Sequence, residues 1–246
     1  MNDVASRISV ANLSRTLAAR GIALDATPVD RFERYGSLLR EWNERVNLTA
    51  ILAPEDIVTK HFLDSLTLLI ARPLPPGARV VDVGTGAGFP GLPIAIARRD
   101  CRVTLVESVA KKIRFLEAVV AALGLTNVRV AHARAEELAH DAAHRERFDV
   151  AIARALPGLG TNLELLLPFC RVGGLAVAYK GRVEPELAAA ERAAAGLGGE
   201  LVEVVTTSGL GLGDALPGRC LVVVEKRRRT PSRYPRSAAE MKRRPW

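Results

Sequence analysis

The sequence predicts an α/β protein whose centre is a mostly parallel, seven-stranded sheet of the Rossmann-like type, preceded by a helical extension. Between residues 77 and 226, short aliphatic segments of strand character alternate with segments of helical periodicity. A glycine-rich stretch follows the first of these strands and opens a helix, as nucleotide-binding loops do. The last two strands have no helix between them, so we expect an antiparallel pair at one edge.

Composition and charge divide the chain into three predicted regions. Residues 1–76 form a helical extension, residues 77–226 form the α/β domain, and residues 227–246 are rich in Arg, Pro and Ser. The formal net charge is +8, and nine basic residues after position 225 face one acidic residue there, Glu240. We therefore expect residues 227–246 to be a flexible basic tail that meets a polyanion.

The rest of the composition excludes several classes of protein. The 246 residues are 48% hydrophobic and 25% charged, which is usual for a globular protein. No apolar run is long enough to span a membrane, and residues 1–20 lack the apolar block of a signal peptide. The three cysteines form no CxxC pair, and His140 and His144 have no identifiable third ligand, so we predict no metal site. A cytoplasmic location is expected.

Helix signals dominate the extension. Thr27 precedes Pro28, and this pair predicts a helix start because Thr caps helices and Pro suits their first turn. Apolar residues then recur at helical spacing as far as position 46. Residues 54–71 predict another helix, and the stretch 72–77, rich in Pro and ending in Gly, breaks the chain before the first strand.

The domain alternates two kinds of segment. We expect strands in the short aliphatic runs 80–83, 102–107, 128–133, 148–155, 175–180, 200–207 and 219–225. We expect helices in the amphipathic or Ala-rich segments 91–99, 109–123, 159–169 and 185–195. Gly124 suits the end of the second of these helices, because glycine adopts the left-handed conformation that terminates many helices.

The clearest candidate binding site is the stretch DVGTGAGFPG at residues 82–91. Glycines allow tight turns and close approach of a ligand, and the following helix offers oriented N–H groups. One interpretation is the dinucleotide motif GxGxxG starting at Gly86, with Glu107 about twenty residues on. The other is the motif DxGxGxG, in which Gly84, Gly86 and Gly88 form the nucleoside-binding loop of class I S-adenosylmethionine methyltransferases. Glu107 would hold ribose hydroxyls in either case.

Two features of the loop favour S-adenosylmethionine over NAD. Asp82 lies inside the strand just before the loop, where its negative charge is unfavourable next to a pyrophosphate. Pro90 removes a backbone N–H from the turn that would cradle phosphate. An NAD-dependent oxidoreductase remains the first alternative, and a basic RNA-binding protein without catalysis is the second.

The sequence also resembles the RsmG (GidB) family of bacterial 16S ribosomal RNA guanine-N7 methyltransferases. The matching segments are WN at 42–43, NLT at 47–49, KHFLDSL at 60–66, DVGTGAGFPG at 82–91, ES at 107–108, KKIRFL at 111–116, RAE at 134–136, ARA at 153–155 and KG at 180–181. They extend over about residues 30–226, and their combination is far more specific than any single segment.

The resemblance implies a class I S-adenosylmethionine-dependent methyltransferase fold, S-adenosylmethionine as cofactor, and N7 of a guanine in 16S ribosomal RNA as the methyl acceptor. It implies a cofactor site lined by Gly84, Phe89, Glu107, Ala135, Glu136 and Arg154. In that site Glu107 would hold the ribose, Ala135 and Glu136 would contact the adenine side, and Arg154 would lie near the methionine end. The expected partner is 16S ribosomal RNA or the small ribosomal subunit, with no membrane, and the expected state is a monomer.

The chemistry of guanine N7 predicts an active site without a general base. N7 carries an exposed lone pair at neutral pH and attacks without losing a proton, so positioning does most of the work. Candidates for substrate positioning are His61 and Asp64, three residues apart on one helix, and Lys180 at the end of a predicted strand. The arginines of the tail, with Tyr234 and Trp246 nearby, are expected to add sequence-independent RNA affinity.

Overall fold

A seven-stranded sheet forms the centre of the computed structural model, which describes residues 8–246. Its order is β3-β2-β1-β4-β5-β7-β6. The strands are β1 (Arg79–Val83), β2 (Arg102–Glu107), β3 (Val128–His132), β4 (Phe148–Arg154), β5 (Cys170–Lys180), β6 (Gly199–Thr206) and β7 (Cys220–Lys226). Strands β1 to β5 are parallel, whereas β7 is antiparallel to both β5 and β6. The predicted mostly parallel sheet with an antiparallel edge is confirmed.

The strand order places the candidate site and weighs against the NAD alternative. Strands β2 and β3 are added on one side of β1, and β4 and β5 are added on its other side. Ligands of such sheets bind at the carboxyl ends of the strands where the order changes side, which here is between β1 and β4. The dinucleotide-binding fold has the order 3-2-1-4-5-6 and is built from two parallel halves. Here an antiparallel β7 is inserted between β5 and β6 instead.

The helices follow the predicted alternation with some differences at their ends. They are α1 (Ala11–Ala18), α2 (Ala26–Asn43), α3 (Pro54–Asp56), α4 (Asp64–Ala71), α5 (Gly91–Ala97), α6 (Ala110–Ala122), α7 (Ala135–Leu138), α8 (Leu159–Leu166), α9 (Leu187–Leu197) and α10 (Ala238–Arg243). A π-helical segment, Ile57–Leu63, joins α3 to α4. In the described part of the chain, no helix combines the length and apolar character needed to cross a bilayer.

The start of α2 differs from the prediction. Asp25, not Thr27, caps this helix, because its carboxylate accepts a hydrogen bond from the Thr27 backbone N–H. Pro28 still lies in the first turn, where its missing N–H costs nothing. Residues 1–7 of the predicted extension lie outside the described residues.

Two hydrophobic layers cover the sheet. One contains the extension together with α5 and α6, and its largest buried rings are Phe32, Tyr35, Phe62 and Phe115. The other contains α8 and α9 and is rich in Ala and Leu. The extension therefore shares a core with the sheet and with the glycine loop.

Residues 227–246 pack against α8 and α9, which differs from the flexible tail that the sequence leads us to expect. Glu164 on α8 is completely buried, and its carboxylate accepts hydrogen bonds from Arg236 Nη2 and Trp246 Nε1, each at 2.6 Å. A carboxylate buried in this way is stable only when a cation compensates it, and Arg236 supplies that cation. Ser237 and Glu240 form a capping box at the start of α10.

Candidate active site

The glycine loop leaves β1 at the centre of the sheet and enters α5. Gly84, Gly86 and Gly88 all have positive φ, between +61° and +96°, which side chains other than glycine adopt with strain. A Cβ atom at Gly86 would meet nothing within 4 Å, whereas one at Gly88 would lie 2.3 Å from Leu92. Gly86 therefore leaves room for a ligand, and Gly88 allows the loop to pack on α5.

Asp82 holds the loop in place from inside the protein. Its Oδ2 accepts hydrogen bonds from Thr85 Oγ1 at 2.5 Å and from the Gly91 N–H at 2.8 Å. Burial raises the pKa of Asp82 to about 6, although these hydrogen bonds act in the opposite direction. Asp82 thus ties the two ends of the glycine loop together.

A small cavity of about 140 Å³ lies at the carboxyl ends of β1 and β2. Its lining includes Gly84, Glu107, Ala135, Glu136 and Leu156. The structure therefore brings together four of the residues predicted to hold the cofactor. Ala135 and Glu136 begin the short helix α7, which the sequence patterns did not predict.

Glu107 is oriented toward this cavity by backbone groups. Its Oε1 accepts from the N–H groups of Ser108 and Val109, at 2.8 and 2.9 Å, and its Oε2 accepts from Gly86 N at 3.1 Å. Each carboxylate oxygen has two lone pairs. One on Oε2 therefore remains for a hydroxyl of a ligand, with the Lys112 ammonium 3.7 Å away.

A second, larger cavity of about 690 Å³ lies between the extension and the carboxyl ends of β4 and β5. Its lining includes His61, Asp64, Arg154, Lys180 and Arg219. All three predicted positioning residues are thus in one cavity with Arg154. Leu156 lines both cavities, so the two meet at the loop that follows β4.

Asp64 is the hub of the larger cavity. Its carboxylate accepts from Arg154 Nη1 at 2.9 Å and from Arg219 Nε and Nη2 at 3.0 and 2.8 Å. These contacts tie the extension to the end of β4 and to the start of β7. Sequence analysis missed Arg219, which belongs to no motif. The only signal would have been its place just before a strand that pairs with the end of β5.

His61 is neutral and engaged at both ring nitrogens. Arg154 Nη2 donates to Nδ1 at 3.0 Å, so the ring proton belongs on Nε2, which donates to Thr49 Oγ1 at 2.9 Å. Burial, helped by the charge of Arg154, lowers the pKa of His61 to about 3. His61 therefore carries no charge at neutral pH and is fixed in one orientation.

Phe89 supports this network from behind. Its ring stacks on His61 with centroids 4.3 Å apart and planes 9° apart, and on Tyr35 with centroids 5.2 Å apart. The Arg154 guanidinium carbon lies 5.0 Å from the ring centroid, within reach of a cation–π contact. The Tyr35 hydroxyl donates to the Ala87 carbonyl in the glycine loop. Phe89 is buried, so it supports His61 and Arg154.

Lys180 closes the other side of the larger cavity. Its ammonium lies 3.0 and 3.2 Å from the two carboxylate oxygens of Glu186. Glu186 also accepts from the backbone N–H of Leu159 at the start of α8. Lys180 keeps donor capacity, because an ammonium group has three N–H bonds.

Comparisons with known proteins agree with this geometry. The family model described as GidB, rRNA small subunit methyltransferase G, matches residues 29–210. A Ribosomal RNA small subunit methyltransferase G of Deinococcus deserti is 50% identical over 220 residues, covering 89% of each chain. One of Roseiflexus castenholzii is 45% identical over 236 residues, covering 95% of this chain and 98% of the relative. The solved structure of TrmN from Thermus thermophilus is 22% identical, covers 77% of this chain and 52% of that one, and has a TM-score of 0.50.

Proposed function

The chain belongs to the rRNA small subunit methyltransferase G (GidB) family, and from this we propose that it methylates N7 of a guanine in 16S ribosomal RNA with S-adenosylmethionine. The observation that carries the proposal is the meeting of two cavities at Leu156. One is small and is lined by the carboxylate of Glu107, and the other is large and is lined by Arg154, Lys180 and Arg219. The first suits the nucleoside of the methyl donor, and the second suits the acceptor.

The residues of the smaller cavity fit S-adenosylmethionine. Gly84 allows close approach, the free lone pair of Glu107 accepts from a ribose hydroxyl, and Ala135 with Glu136 lines the adenine side. Gly86 does not line this cavity, but its N–H orients Glu107 and the space beside it is open. Gly88 and Phe89 act from outside the cavity by fixing the loop and Arg154. When bound, the cofactor supplies an electrophilic methyl group on a sulfonium.

The larger cavity suits an acceptor that loses no proton. Asp64 is engaged by Arg154 and Arg219, and Glu186 by Lys180. The neutral His61 already donates its ring proton to Thr49 and has Arg154 against its other nitrogen. None of these groups is free to accept a proton, and guanine N7 requires none. In this proposal His61 and Asp64 hold Arg154 in place near the methionine end, and Lys180 positions the substrate.

Methyl transfer to isolated small ribosomal subunits tests the proposal. Subunits from cells that lack this protein are incubated with labelled S-adenosylmethionine, and the modified base is mapped by N7-specific strand cleavage. We expect cleavage at one guanine in subunits or in naked 16S RNA. Incorporation of label without strand cleavage would mean that an atom other than guanine N7 is methylated. RNA binding without incorporation of label would favour the non-catalytic alternative.

The same site also supports a proposal on the assembly and location of the enzyme. We propose that the enzyme works as a monomer, because the two adjoining cavities already offer Glu107 for the donor and Arg154 with Lys180 for the acceptor. Light scattering of the purified protein at assay concentration tests this, and a mass of twice 26.5 kDa would contradict it. We also propose a cytoplasmic location, because the proposed substrate is ribosomal RNA.

A further inference from the structure

Four arginines surround a cavity of about 580 Å³ at the edge of the sheet opposite the candidate active site. Arg79 and Arg102 begin β1 and β2, Arg129 is the second residue of β3, and Arg99 precedes β2. Because these strands are parallel, their amino ends share one edge, and Glu107 lies at the other edge. These four residues are called the amino-edge arginine cluster below.

The cluster brings four positively charged side chains together at exposed positions near the start of three neighbouring strands. Arg79 is the direct partner of Arg102 in the β1–β2 register. Arg129 pairs with Thr104, two residues from Arg102 on the same strand. All four arginines of the cluster are exposed. Like charges opposite each other on neighbouring strands destabilise a sheet, so the fold alone does not explain their presence.

Nearby carboxylates do not neutralise the cluster. Asp100 lines the same cavity, but both its oxygens are bound by Arg98, at 2.8 Å each. Asp149 accepts from Arg171 Nε at 2.7 Å and from the backbone N–H of Arg79 at 2.7 Å. Within residues 8–246, no guanidinium of the cluster forms an ion pair with a carboxylate. Among the described residues, only Arg79 has a carboxylate close enough to interact with its charge, that of Asp149, so the cluster is a concentrated positive surface that is compensated only in part.

We propose that the amino-edge arginine cluster binds backbone phosphates of 16S ribosomal RNA, at a segment other than the one that carries the target guanine. The choice of polyanion rests on the proposed function. Guanidinium groups bind phosphate through paired, charge-assisted hydrogen bonds. Five steps along β2 separate Arg102 from Glu107, which is about 16 Å. One nucleotide cannot reach both, so this surface adds affinity for a structured RNA and takes no part in methyl transfer.

The test compares two triple variants that remove the same charge. The first, Arg99→Gln, Arg102→Gln and Arg129→Gln, removes three arginines of the cluster and keeps Arg79, which lies over the Phe148 ring. The control, Arg34→Gln, Arg114→Gln and Arg192→Gln, removes exposed arginines from α2, α6 and α9. Equilibrium binding to full-length 16S RNA is measured between 50 and 200 mM KCl. Methyl transfer to small subunits is then measured at saturating substrate.

We expect the cluster variant to bind 16S RNA about tenfold more weakly and to lower the salt slope by about three, one for each lost phosphate contact. Its kcat at saturating subunits stays unchanged, as does its binding to a short RNA fragment that carries only the target loop. Equal weakening by the control, or an unchanged slope, would overturn the proposal. If wild-type protein transferred no methyl group, the proposed function would fail, and the 16S RNA titration would still decide the cluster.

Discussion

The replacement of Trp246 by alanine tests the docking of residues 227–246. The ring of Trp246 fills the space above two glycines, since a Cβ at Gly160 or Gly196 would lie 2.7 or 2.8 Å from its atoms. Its Nε1 donates to the buried Glu164 at 2.6 Å, and Arg236 lies 5.3 Å from the ring centroid. Glu164 keeps its ion pair with Arg236 in the variant, so only part of its compensation is lost.

The size of the effect follows from these contacts. A hydrogen bond to a charged acceptor contributes about 1.5–3 kcal/mol, and the cation–π contact about 0.5–1 kcal/mol. The Tyr234 ring, 5.6 Å away, adds about 0.5–1.5 kcal/mol. Allowing for partial exposure of the ring, we expect a loss of about 3 kcal/mol in the free energy of unfolding. For a chain of this size, that loss lowers Tm by roughly 6–12 °C.

Urea and thermal unfolding of Trp246→Ala, followed by far-UV circular dichroism, measure this loss. Trp246→Phe is the matched control, because it keeps a ring over the glycines and removes only the N–H donor. The phenylalanine variant is expected to retain about half of the unfolding free energy that Trp246→Ala loses. A Trp246→Ala protein with the urea midpoint of the wild type would refute the docking of this segment, because a mobile tail contributes nothing to unfolding.

Three further predictions concern the cofactor site and the buried carboxylate. Gly84→Val forces a side chain against Leu156 at a φ of +67° and is expected to abolish S-adenosylhomocysteine binding. Gly77→Val, at a φ of +72° with no neighbour within 4 Å, is the control for backbone strain. Equal loss of binding in both variants would contradict the assignment of Gly84 to the cofactor site. Glu107→Gln is expected to weaken S-adenosylhomocysteine binding about tenfold or more in calorimetry, and Glu137→Gln, at an exposed position, is expected to leave it unchanged. Equal affinities of these two variants would contradict a contact between Glu107 and the ribose. Burial would raise the pKa of Glu164, but hydrogen bonds from its partners outweigh burial and lower this pKa below 4.5. Its contribution to stability is therefore complete above the unfolded pKa and is lost as pH falls through the folded pKa, and Glu164→Gln removes that pH dependence of the urea midpoint.

The sheet and the cofactor side of the site could be predicted because their signals are local. The alternation of strands and helices predicts a parallel sheet, and the glycines of 82–91 with Glu107 at the next strand end predict a nucleoside site. Each of these signals spans a few residues or one strand–helix unit. Their positions relative to one another follow from the handedness rules of parallel sheets.

The acceptor side could be predicted only in part, because its partners are distant in sequence. Asp64 meets Arg154 across 90 positions and Arg219 across 155. No spacing rule connects such residues. The docked C-terminal segment was missed for the same reason, since the contact between Arg236 and Glu164 spans 72 positions. The composition of this segment resembles that of a disordered tail, although its Arg236 forms an ion pair with the buried Glu164.

The hydrogen bond from Tyr35 to the Ala87 carbonyl joins the stability of α2 to the occupancy of the glycine loop. A ligand that binds only this conformation of the loop lowers the population of local openings in which the Tyr35 hydrogen bond breaks. Amide protons of α2 then exchange with solvent more slowly, although α2 lines neither cavity. We therefore expect hydrogen exchange in the helical extension to slow when the glycine loop is occupied, so that it reports on ligand binding at a distance.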